Sequence, residues 1–386
     1  MLSKLYMIAL LLCVILKYYP KISASMGEVL SEQCEYDTKE LCPACFPEPN
    51  NCRFFRERLS FENISFLSRL TTRFDQHGVN YAKLDRKHKV VVKNLNRFKK
   101  VESLRDVICG QQRTPYSGCS LDSDEKYLSI MRRKILHRDL YEGAIICPLG
   151  NDQALNRFLG KFDWTDIFKM ILIRSNVQPL ILKLAGKQKA PVPNFIFQAG
   201  FTLVERFDGD VLSTFYNTPF DTRLLIAVEL IDAILSFNVV YDGFRLYLTD
   251  LNPDNIAVEI LPNGNIKVSF IDLNNVIVLD SQSEQINRNN TEIIHTRIDC
   301  NGCFAYAQEE ICSYRYNDIN LFSICQLFLE DSYGNKQAGF LYTEVDQTEH
   351  RRIHQLLHHC VYCKPPECQN REKLLLQIQN IIRSLL

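Results

Sequence analysis

Residues 247–272 read YLTDLNPDNIAVEILPNGNIKVSFID, and the order of features along this stretch decides the fold. Just upstream, Leu224, Val228, Ile231 and Leu235 recur at spacings of four, three and four, the apolar stripe of a helix that Asp221 or Thr222 would cap. A polar loop from Asp250 to Asn255 then leads into IAVEIL, and Pro262-Asn263-Gly264-Asn265 turns the chain. Ile266, Val268 and Phe270 alternate as on a half-buried strand that ends at Asp272. Helix, polar loop, hairpin and aspartate are the parts that phosphoryl transfer needs, in the order it needs them. An Asp receives the proton of the attacking hydroxyl, an Asn five residues later holds a divalent cation, and a second Asp completes the metal site. Asp250 plus five is Asn255, and Asp272 follows the hairpin. The alternative is an ordinary Asx-type turn over Asp250, Pro253 and Asn255, with Asp272 capping a strand.

A second stretch competes for the same role. LHRDLY at 136–141 has the His-Arg-Asp-Leu opening of a kinase catalytic loop. Five residues beyond Asp139 stands Ala144, whose methyl group cannot bind a metal, and neither a clear hairpin nor a second Asp follows. DEKYLSIMRRKIL (124–136) reads as an amphipathic helix with Leu128, Met131 and Ile135 on one face, and His137 to Asp139 as its polar end. The four-residue match is read as a decoy.

The whole chain sets the context. Its 386 residues suit one large domain or two modest ones, and 46% apolar residues are ample for a packed core. Lys+Arg and Asp+Glu both number 45, a balance that gives no support to nucleic-acid binding. Lys4, an apolar run from Leu5 to Leu16 and small residues at 23–25 form a signal-peptide pattern over residues 1–25, with cleavage near Ala24. A retained signal anchor, which would tie the chain to a membrane, is the alternative. Later stretches are too polar to span a bilayer, so the mature chain is expected in the secretory-pathway lumen or outside the cell.

Fourteen of the 15 cysteines follow the leader, in clusters that read as disulfides in an oxidising compartment, with Cys325 alone in an apolar helix. Cys42/Cys45, Cys300/Cys303 and Cys360/Cys363 also have C-x-x-C spacing, but partners at zinc-finger spacing are missing. Asn63 and Asn289 open glycosylation sequons.

NYAKLDRKHKVVVKNL (80–95) reads as a hairpin with a charged turn, in which Lys93 follows three β-branched residues. A lysine there would grip the α/β-phosphates of a nucleotide. Its acidic partner is open among Glu102, Asp106 and Glu125. In FQAGFTLVERFDGDVLSTFY (197–216), Leu203-Val204-Glu205 would present backbone groups to an adenine, or form an ordinary strand before an Asp-Gly turn. YNDINLFSICQLFLE (316–330) reads as a buried central helix, with Asp318 as its anchor or cap.

Taken together, LCPACFPEPNNCRFF, VVVKNL, NVQPLILKLAG, GFTLVERFDGD, YLTDLNPDNIAV, IDLNNVIV and the CNGCFAYAQEEIC to FSICQLFL block span nearly the whole mature chain. They resemble the divergent, secretory-pathway protein-kinase-like proteins of the deleted-in-autism group and their cysteine-rich relatives. The resemblance implies an α+β, two-lobed kinase-like fold stapled by disulfides, resident in the Golgi or secreted. The expected division is a cysteine-rich segment at 26–60, a β-rich N-lobe with a helical insertion at 61–204 and a helical C-lobe at 205–386. ATP with Mg²⁺ or Mn²⁺ would be the cofactor, with Asp250 as base, Asn255 and Asp272 as metal ligands, and Lys93 and Glu205 at the nucleotide. Partners would be a protein substrate or receptor, with no nucleic acid.

The sequence also departs from an ordinary kinase. Only Gly78 stands where a glycine-rich loop belongs, Leu248-Thr249 replaces His-Arg, and Asn252 replaces a phosphate-contacting Lys. Asp272-Leu273-Asn274 replaces Asp-Phe-Gly, and no Ala-Pro-Glu follows. An atypical kinase and a pseudokinase ligand or binding partner are therefore the two leading expectations. An interaction domain unrelated to kinases is the third.

Overall fold

The computed structural model describes residues 25–41, 46, 51–61, 78–95, 129, 132–133, 144–284, 292–296, 308–344, 348–365 and 368–386. The expected leader, both sequons, Asp139, Glu102, Asp106, Glu125 and six cysteines (42, 45, 109, 119, 300 and 303) lie outside the described residues. So does most of the helix expected over 124–136. Among the described residues, no helix is long and apolar enough to cross a membrane.

In chain order the strands among the described residues are β1 (Leu59–Ser60), β2 (Val79–Leu84), β3 (His88–Asn94), β4 (Ile145–Cys147), β5 (Phe195–Ala199), β6 (Thr202–Arg206), β7 (Asp210–Val211), β8 (Val240–Tyr241), β9 (Phe244–Leu248), β10 (Ile256–Ile260), β11 (Ile266–Phe270), β12 (Val276–Asp280), β13 (Glu292–Ile293) and β14 (Tyr316–Asn317). The helices are α1 (Met26–Tyr36), α2 (Arg53–Arg58), α3 (Asp152–Leu159), α4 (Asp166–Ser175), α5 (Gln178–Gly186), α6 (Phe220–Phe237), α7 (Gln308–Ser313), α8 (Ile319–Leu329), α9 (Thr348–Tyr362) and α10 (Arg371–Leu385). The architecture is the expected α+β kinase-like one, with a sheet-based N-terminal unit and a second unit rich in helices.

The first unit comprises residues 1–133, 164–171 and 195–207. Its sheet runs β1-β2-β3-β6-β5, and β2 and β3 form the expected hairpin around Asp85 and Arg86. Residues facing each other across strands share a sheet face. Ala82, Val90, Val92 and Val204 lie on one face, buried with Met26, Val29, Leu30 and Phe55 of α1 and α2. Each such side chain contributes about 1.5–3 kcal/mol by leaving water. The two helices touch closely because residue 27 is Gly, where a Cβ would come within 2.7 Å of the Phe55 carbonyl oxygen. The Cys34–Cys52 disulfide staples them together. Val79, Tyr81, Val91, Lys93, Leu203 and Glu205 occupy the opposite face.

The second unit comprises residues 134–163, 172–194 and 208–386. These boundaries differ from the expected ones, with residues 172–194 also in the second unit. The 26–60 segment is part of the first unit's core, because α1 and α2 cover its sheet. Residues 144–163 belong to the second unit, because β4 pairs in parallel with β12 and Cys147 bonds to Cys312. Arg157 Nε also donates to buried Asp280 at 2.6 Å, and Asn151 Nδ2 donates to Ser283 at 3.3 Å. Ala144 donates its N–H to the Ile173 carbonyl at 2.8 Å, which makes it a strand lead-in.

Helix α6 carries the expected stripe, with Leu224, Val228 and Ile231 buried. It begins at Phe220 behind Pro219, without the side-chain cap that Asp221 or Thr222 was expected to give. Asp221 sits in the first turn, where its charge suits the positive helix end. The β10–β11 hairpin pairs Ile256 with Phe270 through to Ile260 with Ile266. Ser269, a polar residue inside that strand, is buried because its hydroxyl donates to Asp208 at 2.5 Å. Gly209 beside it has φ +111°, and a Cβ there would meet the Val258 carbonyl at 2.1 Å. Only glycine lets the Asp-Gly turn lie against the hairpin.

Cys325 is not alone, as expected from sequence, but bonded to Cys360 of α9, and Cys363 pairs with Cys368. The Cys360/Cys363 pair is thereby committed to disulfides and not to zinc. Peptide mapping under non-reducing conditions should recover Cys34–Cys52, Cys147–Cys312, Cys325–Cys360 and Cys363–Cys368. Free Cys325 in the native protein would contradict this arrangement.

The first unit also carries a buried acid. Asp37, after α1, is 2% exposed, and burial pushes its carboxyl up from 3.8 to about 7. With the folded pKa above the unfolded one, the native state holds the extra proton between them. The resulting stability is complete below about pH 4 and lost as pH rises through about 7. Relative to Asp37→Asn, the wild type should lose on the order of 2–4 kcal/mol over that range, read from urea midpoints. Parallel pH profiles for the two proteins would refute the assignment.

Candidate active site

The site is built from the first turn of α8 outward. Asp318 opens that helix but makes no side-chain cap. Its carboxylate instead accepts the His295 N–H at 2.6 Å and pairs with buried Arg371 at 2.6 Å, so of the two expected roles it is the anchor. Burial pushes its pKa up, against the opposing pull of the guanidinium. Arg371 also donates to the Cys360 carbonyl at 2.8 Å and lies 5.0 Å over the Phe322 ring.

From this fixed turn, Asn320 reaches strand β9. Its Oδ1 accepts the Leu248 N–H and its Nδ2 donates to the Leu246 carbonyl, both at 2.9 Å. Asn317 donates its N–H to the Tyr247 hydroxyl at 3.0 Å. Three consecutive β9 residues are therefore fastened to α8 directly before the Asp250 loop. Asn320 and Asn317 satisfy backbone and hydroxyl groups that burial would otherwise leave costly.

Within the loop, Asn252 accepts from the Asp254 N–H at 2.9 Å and turns the chain at Pro253–Asn255. The Asn255 Nδ2 donates to the Asp250 carbonyl at 2.9 Å. The Asn255 carbonyl accepts the Ile271 N–H at 3.0 Å, which brings Asp272 beside it. Asp250, Asn255 and Asp272 line one small recess, with Leu251, Phe270 and Leu273 as its apolar wall. The Asx-type turn and the three-residue constellation, posed as alternatives in the sequence, coexist in one geometry.

Both Asp250 carboxylate oxygens are engaged. Asn252 Nδ2 donates to Oδ1 at 2.8 Å, and Asn275 Nδ2 lies 3.4 Å from Oδ2. The Thr249 hydroxyl donates to the Asn275 carbonyl, linking the two loops where kinases carry His-Arg. With the Asn255 amide nitrogen spent on Asp250, its amide oxygen and the Asp272 carboxylate are the hard oxygen donors in this lining, the donor type that Mg²⁺ and Mn²⁺ take. Among the described residues, no three His, Cys, Asp or Glu side chains converge into a metal site.

The other two expected residues lie in the first unit. Lys93 Nζ is 2.8 Å from Glu205 Oε1, with side-chain exposures of 13% and 1%. Glu205 is thus an acidic partner of Lys93 among the described residues, and Glu102, Asp106 and Glu125, the three candidates weighed in the sequence, lie outside them. Leu203, Val204 and Glu205 are interior to β6, which is paired on both edges. Their backbone groups serve the sheet, which differs from the adenine-facing role expected of them. Gly78 is buried, and its carbonyl accepts the Asn94 N–H at 3.0 Å, so it belongs to the strand lead-in and not to a phosphate cradle. Sequence reasoning missed Asn275, Asn317 and Asn320, whose importance depends on contacts across 25 to 74 residues of chain.

Comparison with known proteins places this geometry in context. A family model described as the protein-kinase domain of FAM69 matches residues 172–362. The chain is 25% identical over 357 residues to Divergent protein kinase domain 2A of Xenopus tropicalis, covering 84% of this chain and 81% of that protein. The protein of the same name from Homo sapiens is 23% identical over 384 residues, covering 89% and 87%. A solved Mycobacterium tuberculosis structure, the Rv3197–erythromycin complex, aligns over 71% of this chain and 66% of that one at 15% identity. Its TM-score is 0.28, too low to carry fold or function.

Removing the Asn320 side chain strands two buried backbone groups of β9. Asn320→Ala should destabilise the second unit by about 2–4 kcal/mol. Urea denaturation followed by tryptophan-independent probes, such as far-UV circular dichroism, checks this; a change under about 0.5 kcal/mol would contradict the anchoring role.

Proposed function

Because the chain belongs to the divergent protein-kinase-like family, we propose that it is an atypical phosphotransferase that uses ATP with Mg²⁺ or Mn²⁺. Its substrates would be proteins of the secretory-pathway lumen or the extracellular space. The observation that supports this best is the shared recess of Asp250, Asn255 and Asp272, assembled by the Asn255 bonds to Asp250 and Ile271. Four disulfides among the described residues favour an oxidising compartment.

Each residue then has a task. Asp250 orients an acceptor hydroxyl and takes its proton as the oxygen bonds to phosphorus and ADP departs. Asn255 and Asp272 would hold the cation, and Lys93 would grip the α/β-phosphates. Bound metal–ATP would supply the γ-phosphoryl group and the neutralisation of its charge. An incoming hydroxyl must displace Asn252 or Asn275 from Asp250, and that double engagement favours a second reading, a pseudokinase acting as a ligand or binding partner.

Thermal unfolding with ATP, with and without metal, tests the proposal. At a hundredfold excess over Kd, binding adds about 2.7 kcal/mol, and the midpoint should rise by roughly 2–4 °C only when ATP and metal are both present. Asp272→Ala should abolish the metal-dependent part and Asp250→Ala should keep it, with phosphotransfer lost in both. No shift in the wild type at millimolar ATP with either metal would sink the enzyme and leave the pseudokinase.

A further inference from the structure

We propose that Glu205 is a positioning residue for Lys93, and that the phosphate grip is thereby anchored in the sheet and in place before nucleotide arrives. The proposal rests on the reading of Lys93 as a phosphate-binding residue. In protein kinases the corresponding lysine is held by a glutamate on a helix, and moving that helix switches the site on and off. Here the carboxylate comes from the neighbouring strand. Val91 faces Glu205 and Lys93 faces Leu203 across β3 and β6, so Lys93 and Glu205 are diagonal neighbours on one face.

The two strands are paired continuously from Val90 with Arg206 to Asn94 with Thr202. The Nζ–Oε1 contact of 2.8 Å involves a carboxylate that is 1% exposed. Such a partner cannot withdraw without unzipping the sheet, and burial removes the competition with water that weakens surface pairs. An ammonium group has three donors. Along the same face Val79, the cross-strand neighbour of Lys93, and Tyr81 are 51% and 62% exposed, so the lysine lies next to solvent-open sheet. The ligand class that fits is a nucleoside polyphosphate.

Calorimetric titration of the full chain with Mg²⁺-ATP tests this, with the unfolding midpoint of every variant measured in parallel. Lys93→Met, the control for the underlying reading, should weaken binding severely. Glu205→Gln, equal in size but uncharged, should weaken it by at least about tenfold. Glu205→Asp, shorter but charged, should bind better than the Gln variant. In the Lys93→Met background, changing Glu205 to Gln should alter affinity no further. If the single Gln variant does not fold, Glu205→Asp with and without Lys93→Met carries the same comparison.

Wild-type affinity in Glu205→Gln, with binding lost in Lys93→Met, would overturn the role of Glu205 and leave the phosphate grip standing. Better binding by Gln than by Asp would mean that shape and not charge is what Glu205 supplies. Undiminished binding in Lys93→Met, or none in the wild type, would remove the underlying reading and the proposal with it.

Discussion

A buried guanidinium governs the second unit. Arg371 enters a region with little water, and the structure compensates it with the Asp318 carboxylate, the Cys360 carbonyl and the Phe322 ring. Removing one partner of such a pair leaves an uncompensated buried charge, typically at a cost of about 3–5 kcal/mol. The pair joins the start of α10 to the start of α8, and the Cys325–Cys360 bond joins α8 to α9. The first turn of α8 is thus fixed from two sides. Asn320 of that turn, and Asn317 just before it, in turn determine where β9 ends and where Asp250 begins.

The first unit solves a different problem. A five-stranded sheet has two faces, and an apolar one must be covered. Helices α1 and α2 cover it, contributing Met26, Val29, Leu30 and Phe55 to a core with Val90, Val92 and Val204. The alternation of β3 makes this possible: Val90 and Val92 point into the core, and Val91 and Lys93 point away from it. Two of the N-terminal cysteines are in this sense structural, since Cys34–Cys52 holds together the pair of helices that closes the apolar face.

The hairpin, the Asp250-to-Asn255 loop and the α6 stripe were legible because each is encoded locally, by periodicity and by turn residues. The decoy at Asp139 failed on spacing alone, and Ala144 proves to lead into β4. Partnerships were not legible. Glu205 lies far from Lys93 in sequence, and nothing in Leu203-Val204-Glu205 says that its side chain and not its backbone matters. Cys325 looked solitary because its partner stands 35 residues away on another helix. Asn320, placed inside an apolar run, reads as an exception to a buried helix until its two bonds to β9 are known. The division between units was also hidden, because residues 144–163 join the second unit through a parallel strand whose partner, β12, comes much later in the chain.

The cover of the first sheet also has a consequence for biosynthesis. Helices α1 and α2 emerge from the ribosome early, yet the strands they close over include β6, which is made far later. Until then the β2–β3 hairpin, with Ala82, Val90 and Val92, offers only part of the surface their apolar stripe rests on. The Cys34–Cys52 bond closes a short loop and is within reach at once, whereas Cys147–Cys312 must wait for most of the chain. Oxidation therefore runs ahead of burial at the N-terminus. The stapled pair of helices completes its cover only when β5 and β6 arrive, and an apolar surface left partly uncovered during synthesis is what folding helpers recognise.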